Sequence, residues 1–416
     1  MQGMAAASVS PDFQNVLVMS AAAFAVRLFL GFVPRIRVPG PVLEIVVGVI
    51  IGPQVLGWVV VDEPVVVLST LGLAFLLFLA GMEVDLRSLR GRDGRIAIAG
   101  FGISVVLALG IGLALEVSGM IINGALVGFA LTASALGRLI PLLADEGELR
   151  SPLGRFVIAG GSVGEIGVIV LLALFFSGNG GPGSTLVVLG LFVVFALVAL
   201  VVLGRANGAE GFERVMARLQ DTSAQIRVRF AIVLLIASIT LASGLGLESI
   251  LGAFAAGAIV SLVDRNAAET HPLFHSKLEA IGYGFLVPLF FVTSGANLDV
   301  NALFNDSDTV LKVVIFTVSM LVVRGLPVLL GRGRLDSTRL TIAGLLEAGS
   351  LPILVTAATI GTHTGQMTTS TAAALVIAGL VATIIYPTVA LALLKRVDPD
   401  PTPDPTYIAD PNPEEM

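Results

Sequence analysis

The chain is 416 residues long, 56% hydrophobic and only 13% charged, with a mean hydropathy of +0.97 and a formal net charge of −6. Soluble domains carry roughly a quarter charged residues, so a globule of this length lacks the polar surface to clothe its cores. A soluble enzyme and a disordered chain are excluded, as is a nucleic-acid binder, which would need a basic face.

A helix crossing a bilayer needs about 20 mostly apolar residues. Thirteen stretches qualify: 14–33, 41–60, 64–83, 95–117, 121–143, 153–176, 184–204, 228–246, 248–264, 278–296, 309–331, 337–360 and 367–394. The first carries Arg27. With no basic stretch or cleavage site before it, it reads as a helix rather than a leader. The second holds Glu44 near one end. The third ends on Glu83, with Asp85 and four arginines behind it, where interfacial salt bridges account for both acids. The fifth is interrupted by small and polar residues from Leu131 through Thr132 and Ser134 to Gly137, with Arg138 just beyond. The sixth carries Glu165 at its middle, among Gly160, Gly161, Ser162 and Gly164.

After the seventh span, residues 205–229 form a polar cytoplasmic linker. The eleventh span buries Arg324. The twelfth is interrupted by Glu347-Ala348-Gly349-Ser350-Leu351-Pro352, and Pro352 has no N–H to give a helix. Residues 398–416 are Pro-rich and acidic, and are expected to be disordered. His271, His275 and His363 fall between spans and read as solvated loop residues. Runs such as Leu186 to Leu203 do not alternate, which excludes a β-barrel. No cysteine is present, so disulfides and thiolate metal sites are excluded.

Loops after the odd-numbered spans hold 20 of the 24 basic residues, and the opposite loops hold none. The positive-inside rule then places the N-terminus outside and the C-terminus in the cytoplasm. The fold class is thus an all-α polytopic membrane protein of about thirteen helices. Residues 1–204 form a first membrane half with a connector helix, and 230–397 a second. The halves start on opposite sides, as inverted repeats do, and the interrupted fifth and twelfth spans are the fifth helix of each. Discontinuous helices meeting at the midplane are where such transporters bind their cargo.

A charge centred on a spanning helix costs about 2.5–3.5 kcal/mol, so such groups are paired, wetted or functional. Glu165 is the leading candidate for an ion- and proton-binding carboxylate, because a proton and a cation neutralise the same charge and compete for it. Arg324 is its expected charge partner. Glu347 in the twelfth-span break and Glu44 complete the coupling candidates, and Arg138 lies nearer the cytoplasm. Thr132, Ser134 and Ser162 offer oxygens to a hard cation, or bond back to their own helices. The spans contain no histidine and no mid-span Asp, which leaves intramembrane serine or aspartyl proteolysis without its groups.

The stretches Phe75 to Leu86, Leu251 to Gly257 and Phe285 to Gly295 together resemble the second type of monovalent cation:proton antiporters, and the resemblance covers nearly all of residues 14–395. It implies a core domain with crossed, broken helices, a dimerisation domain and elevator-like alternating access. The family's ion-binding acid falls on Glu165, its broken-helix Thr on Thr132 and its basic partner on Arg324. Glu stands where the family usually has Asp, and Gly164 stands where it has a polar neighbour. A single acid at that pair of positions implies one-for-one exchange.

The expected function is exchange of Na+ or K+ for H+, by a homodimer in a bacterial plasma membrane, without cofactor, enzymatic activity or nucleic-acid partner. Rival readings are a channel-like or transport-inactive sensor on the same scaffold, or a Na+-coupled organic anion carrier.

Overall fold

The computed structural model describes residues 13–33, 38–83, 91–176, 225–263, 272–301 and 307–397, with isolated positions 190, 194 and 198. All but three positions of the expected seventh span, most of the 205–229 linker, Asp85, His271 and the 398–416 tail lie outside the described residues. Every element within them is helical: α1 (Gln14–Phe32), α2 (Gly40–Ile51), α3 (Glu63–Glu83), α4 (Arg92–Val117), α5 (Gly124–Leu131), α6 (Leu136–Asp145), α7 (Pro152–Phe176), α8 (Ile226–Gly244), α9 (Ser249–Val263), α10 (Pro272–Ile281), α11 (Val287–Ala296), α12 (Ser307–Gly325), α13 (Ser337–Glu347), α14 (Leu351–His363) and α15 (Thr369–Leu394). A π-helical turn (Gly282–Leu286) joins α10 to α11, and a 3-10 turn (Pro327–Gly333) extends α12.

Nine stretches among the described residues are long and apolar enough to cross a membrane, and α13 with α14 makes a tenth, bent by 41° at its break. The count of thirteen is therefore not reproduced. The second expected span, 41–60, is a 12-residue helix, because Gly52-Pro53 removes a helix-favouring residue and then an N–H donor. His275 lies within α10 and His363 ends α14, so neither is the loop residue expected.

The helices sort into two bundles. One, the scaffold, contains α1–α3 and α8–α11; the other, the core, contains α4–α7 and α12–α15. Their main meeting lines are α3 against α6 and α7 against α9. Glycines pin the scaffold. At the α2–α11 crossing, Gly48 lies on the backbone carbonyl of Val292 and Gly295 on that of Ile45. At the α3–α9 crossing, Gly81 lies on the carbonyl of Phe254 and Gly257 on that of Phe78. Backbones approach this closely only where no Cβ intervenes. Gly257→Val is expected to cost about 1–3 kcal/mol through overpacking and to lower the thermal midpoint in detergent. Gly102→Ala, which meets nothing within 4 Å on α4, should leave the midpoint unchanged or raise it.

Candidate functional site

Two broken helices build the centre of the core bundle. In the first, α5 stops at Leu131 and α6 begins at Leu136; in the second, α13 stops at Glu347 and α14 begins at Leu351. The second break turns on Gly349, whose φ of +83° suits glycine. Pro352 then sits in the first turn of α14, where a missing N–H costs nothing.

Glu165 projects from α7 toward the first break. It is 5% exposed, and its Oε2 accepts the Leu136 N–H at 3.1 Å. A carboxylate at that point faces the positive end of α6. Ser134 in the break and Ser162 one turn before Glu165 on α7 are fully buried, and neither hydroxyl has a hydrogen-bond partner within the protein. Thr132 is buried in the same break, but its hydroxyl donates to Phe129 O at 2.7 Å, the back-bonding alternative. Ser134 and Ser162 thus leave two buried hydroxyl oxygens with unspent acceptor capacity in the segments that flank Glu165 in the chain.

Arg324 does not take Glu165 as its partner. Its Nη2 lies 2.8 Å from Glu347 Oε2 and donates to Gly160 O at 2.9 Å. Both members of the ion pair are under 5% exposed. The glycines of α7 make the room. A methyl group at Gly160 would overlap the Glu347 carboxylate, and a Cβ at Gly164 would stand 2.9 Å from Arg324 Nη2 and 3.0 Å from Ser134 Cβ. Gly160 and Gly164, four apart on one helix face, receive the ion pair, while Glu165 looks elsewhere. Gly164 is therefore no vacancy for a missing polar group; the guanidinium already occupies that space.

Arg138 has a role the sequence reading underrated. From the first turn of α6 its Nη2 donates to Leu346 O, Ala348 O and Gly349 O at 3.3, 3.5 and 3.0 Å. A cation there answers the negative end of α13 and its unpaired carbonyls. The signal was present: a base three residues past one break, and a second break that needed capping. Glu44 does not join this group. It is 1% exposed, on α2 of the scaffold, and is bound by Arg27 at 3.0 Å.

A cavity of about 870 Å3 lies between the bundles. Near the basic loops it is lined by Pro39, Glu83, Ser276 and Glu279, and it reaches inward to Glu165 and Ser350. Glu83 is the acid that sequence reasoning set aside. Its carboxyl lies over Gly137 of α6, across the line between bundles, and among the described residues its Oε2 is buried without a hydrogen-bond partner; Arg87 and Arg90, expected to pair with it, lie outside those residues. Nothing local in sequence marks this contact, because the two residues belong to different bundles.

Comparison with known proteins agrees with this architecture. The sodium proton antiporter MjNhaP1 from Methanocaldococcus jannaschii superposes with a TM-score of 0.66 over 92% of this chain and 98% of its own, at 18% identity, which establishes the antiporter fold. "Putative Na(+)/H(+) antiporter YjbQ" of Bacillus subtilis is 30% identical over 87% of this chain; the chain spans 60% of that relative's length. The "Na(+)/H(+)-K(+) antiporter GerN" of Bacillus cereus is 27% identical over 90% of this chain and 94% of its own. Residues 20–396 match the family described as "Sodium/hydrogen exchanger, transmembrane", and the chain belongs to that family.

Proposed function

We propose that the chain exchanges a monovalent cation, Na+ or K+, for H+ by alternating access, with Glu165 as the carboxylate both cargoes use. The carrying observation is the isolation of Glu165 as a chargeable group. Arg324 is spent on Glu347, the Nη2 of Arg138 on the carbonyls at the second break, and Glu165 receives only a backbone N–H at the end of a cavity. Its charge is left for a cargo to neutralise. Ser134 and Ser162 complete the cation's oxygen shell, and Glu83 attracts cations into the cavity from the scaffold side. The named activities of the antiporter relatives support the same chemistry.

The same geometry supports a one-for-one ratio. Among the acids around the breaks, Glu347 carries its own counter-ion and Glu83 stays with the scaffold. Loaded with either one proton or one cation, the Glu165 site is neutral, so exchange is one for one. The basic loops lie in the cytoplasm, and the cavity is the inward-facing half of the route. Residues 1–204 and 230–397 are inverted halves, a reading supported by the matching pairs of broken helices and of glycine crossings.

Reconstituted liposomes with a trapped pH dye test this reading. Na+ or K+ should move protons with saturation while choline does not, and an imposed membrane potential should leave the rate unchanged. Folded protein that moves no protons on either cation overturns the exchanger. A rate that follows the potential overturns the one-for-one ratio alone.

A further inference from the structure

The Arg324–Glu347 pair is only half made. Arginine and a carboxylate commonly meet through two parallel N–H···O bonds. Here Nη2 donates to Glu347 Oε2 at 2.8 Å, but among the described residues neither Arg324 Nε nor Glu347 Oε1 has a hydrogen-bond partner. Both atoms are buried. A donor and an acceptor withdrawn from water with no bond in return cost stability, the more so in charged groups.

A cavity of about 20 Å3 lies against the pair. Arg324 and Glu347 line it, with Gly160 of α7, Ala97 and Gly100 of α4 and Pro327 of the 3-10 turn. Glu347 Oε1 is the first atom that a Cβ at Gly160 would meet. Apart from the ion pair, every side chain of the wall is apolar. A water needs about 10–15 Å3, so the space holds one. A metal cation would be repelled by the guanidinium and an anion by the carboxylate. Water suits both, because it accepts from an N–H and donates to an oxygen. Packing alone does not call for glycine at position 100. A methyl group there would stand 3.5 Å from Pro327 Cβ, an ordinary contact.

We propose that one buried water is the third member of the Arg324–Glu347 pair, accepting from Nε and donating to Oε1, and that Gly100 keeps its seat open. The pair is then complete only with the water in place, and α4 is the wall that retains it. The water serves the ion pair and not the cargo, so it stands or falls independently of exchange at Glu165.

Gly100→Ala tests this in two backgrounds, the wild type and the double variant Arg324→Met with Glu347→Leu, read as thermal midpoints in detergent. Alanine ordinarily stabilises a helix relative to glycine, and here its methyl group fits. In the wild type it should nonetheless lower the midpoint by a few degrees, because it takes the water's space and strands Nε and Oε1. In the double variant no polar atom needs the water, and the same change should raise the midpoint. Gly100→Ser brings its own hydroxyl, and should recover part of the loss in the wild type while giving no advantage over alanine in the double variant. A higher midpoint for Gly100→Ala in the wild type overturns the proposal, since the space is then a dry void. An equal fall in both backgrounds also overturns it, since the loss is then steric. If Gly100→Ala folds only in the double variant, the water is supported; if it folds in neither, the proposal fails. A density map fine enough to show ordered water checks the site directly in the wild type: a peak within hydrogen-bond reach of both atoms is expected, and an empty cavity overturns it.

Discussion

Glu165→Gln is expected to reduce cation-driven proton movement to the level of protein-free liposomes while the protein stays monodisperse and at least as heat-stable as wild type. The amide keeps the size of the side chain and an oxygen to accept the Leu136 N–H, now found at 3.1 Å. What it loses is the charge that proton and cation compete for in the proposed exchange. Removing an unpaired buried charge relieves a desolvation cost, so activity and stability should move in opposite directions. Glu165→Asp separates the two roles. It retains the charge but withdraws it by one methylene from the end of α6, and should exchange more slowly with a weaker apparent cation affinity. Full exchange by the Gln variant would remove Glu165 from the centre and direct attention to Glu83→Gln.

Arg324→Met should be the most destabilising single change in the core, by about 3–5 kcal/mol, because it strands Glu347 as an uncompensated buried charge. The ion pair is 2.8 Å long and closed on its far side by Gly160 O. Adding Glu347→Leu removes the stranded charge, and apolar replacement of a whole buried pair is often neutral. The double variant should therefore recover most of the lost stability, read as a thermal midpoint and as denaturant resistance in detergent. It should also recover proton-coupled exchange, since the pair takes no cargo in the proposed cycle. If Arg324→Met alone is as stable as wild type, the pair does not hold these helices. If the double variant is stable but inactive, the pair takes part in exchange directly.

The sequence located the charges well and their partners poorly, and the reason is physical. Burial of Glu165, Arg324 and Glu347 follows from spacing, because each lies far from the ends of an apolar run. Pairing depends on which face of α7 each neighbour packs against. Arg324 and Glu347 come from helices on the glycine face, while Glu165 points at the α6 terminus. The i, i+4 glycines at 160 and 164 were a readable sign of that face, but small residues also serve ordinary close packing. Breaks in α5–α6 and α13–α14 were legible because small, polar and proline residues interrupt apolar runs. The shortness of α2 was less so, since the residues after Gly52 remain apolar. Glu83 was out of reach from sequence, because its environment comes from Gly137, 54 positions away on another bundle.

The three bonds from Arg138 to the end of α13 have a mechanical consequence. They tie one broken helix to the other at the point where each is interrupted, and the same α6 terminus holds Glu165. A break is ordinarily a joint, free to bend. Here the two joints brace each other, as crossed members do in a truss. In the proposed cycle, cargo arriving at Glu165 therefore cannot tilt α6 without loading α13, and the crossing responds as one stiff body. Flexure is left to the bundle's perimeter, so a substitution that cuts the brace should turn a rigid carrier into one that yields locally under its load.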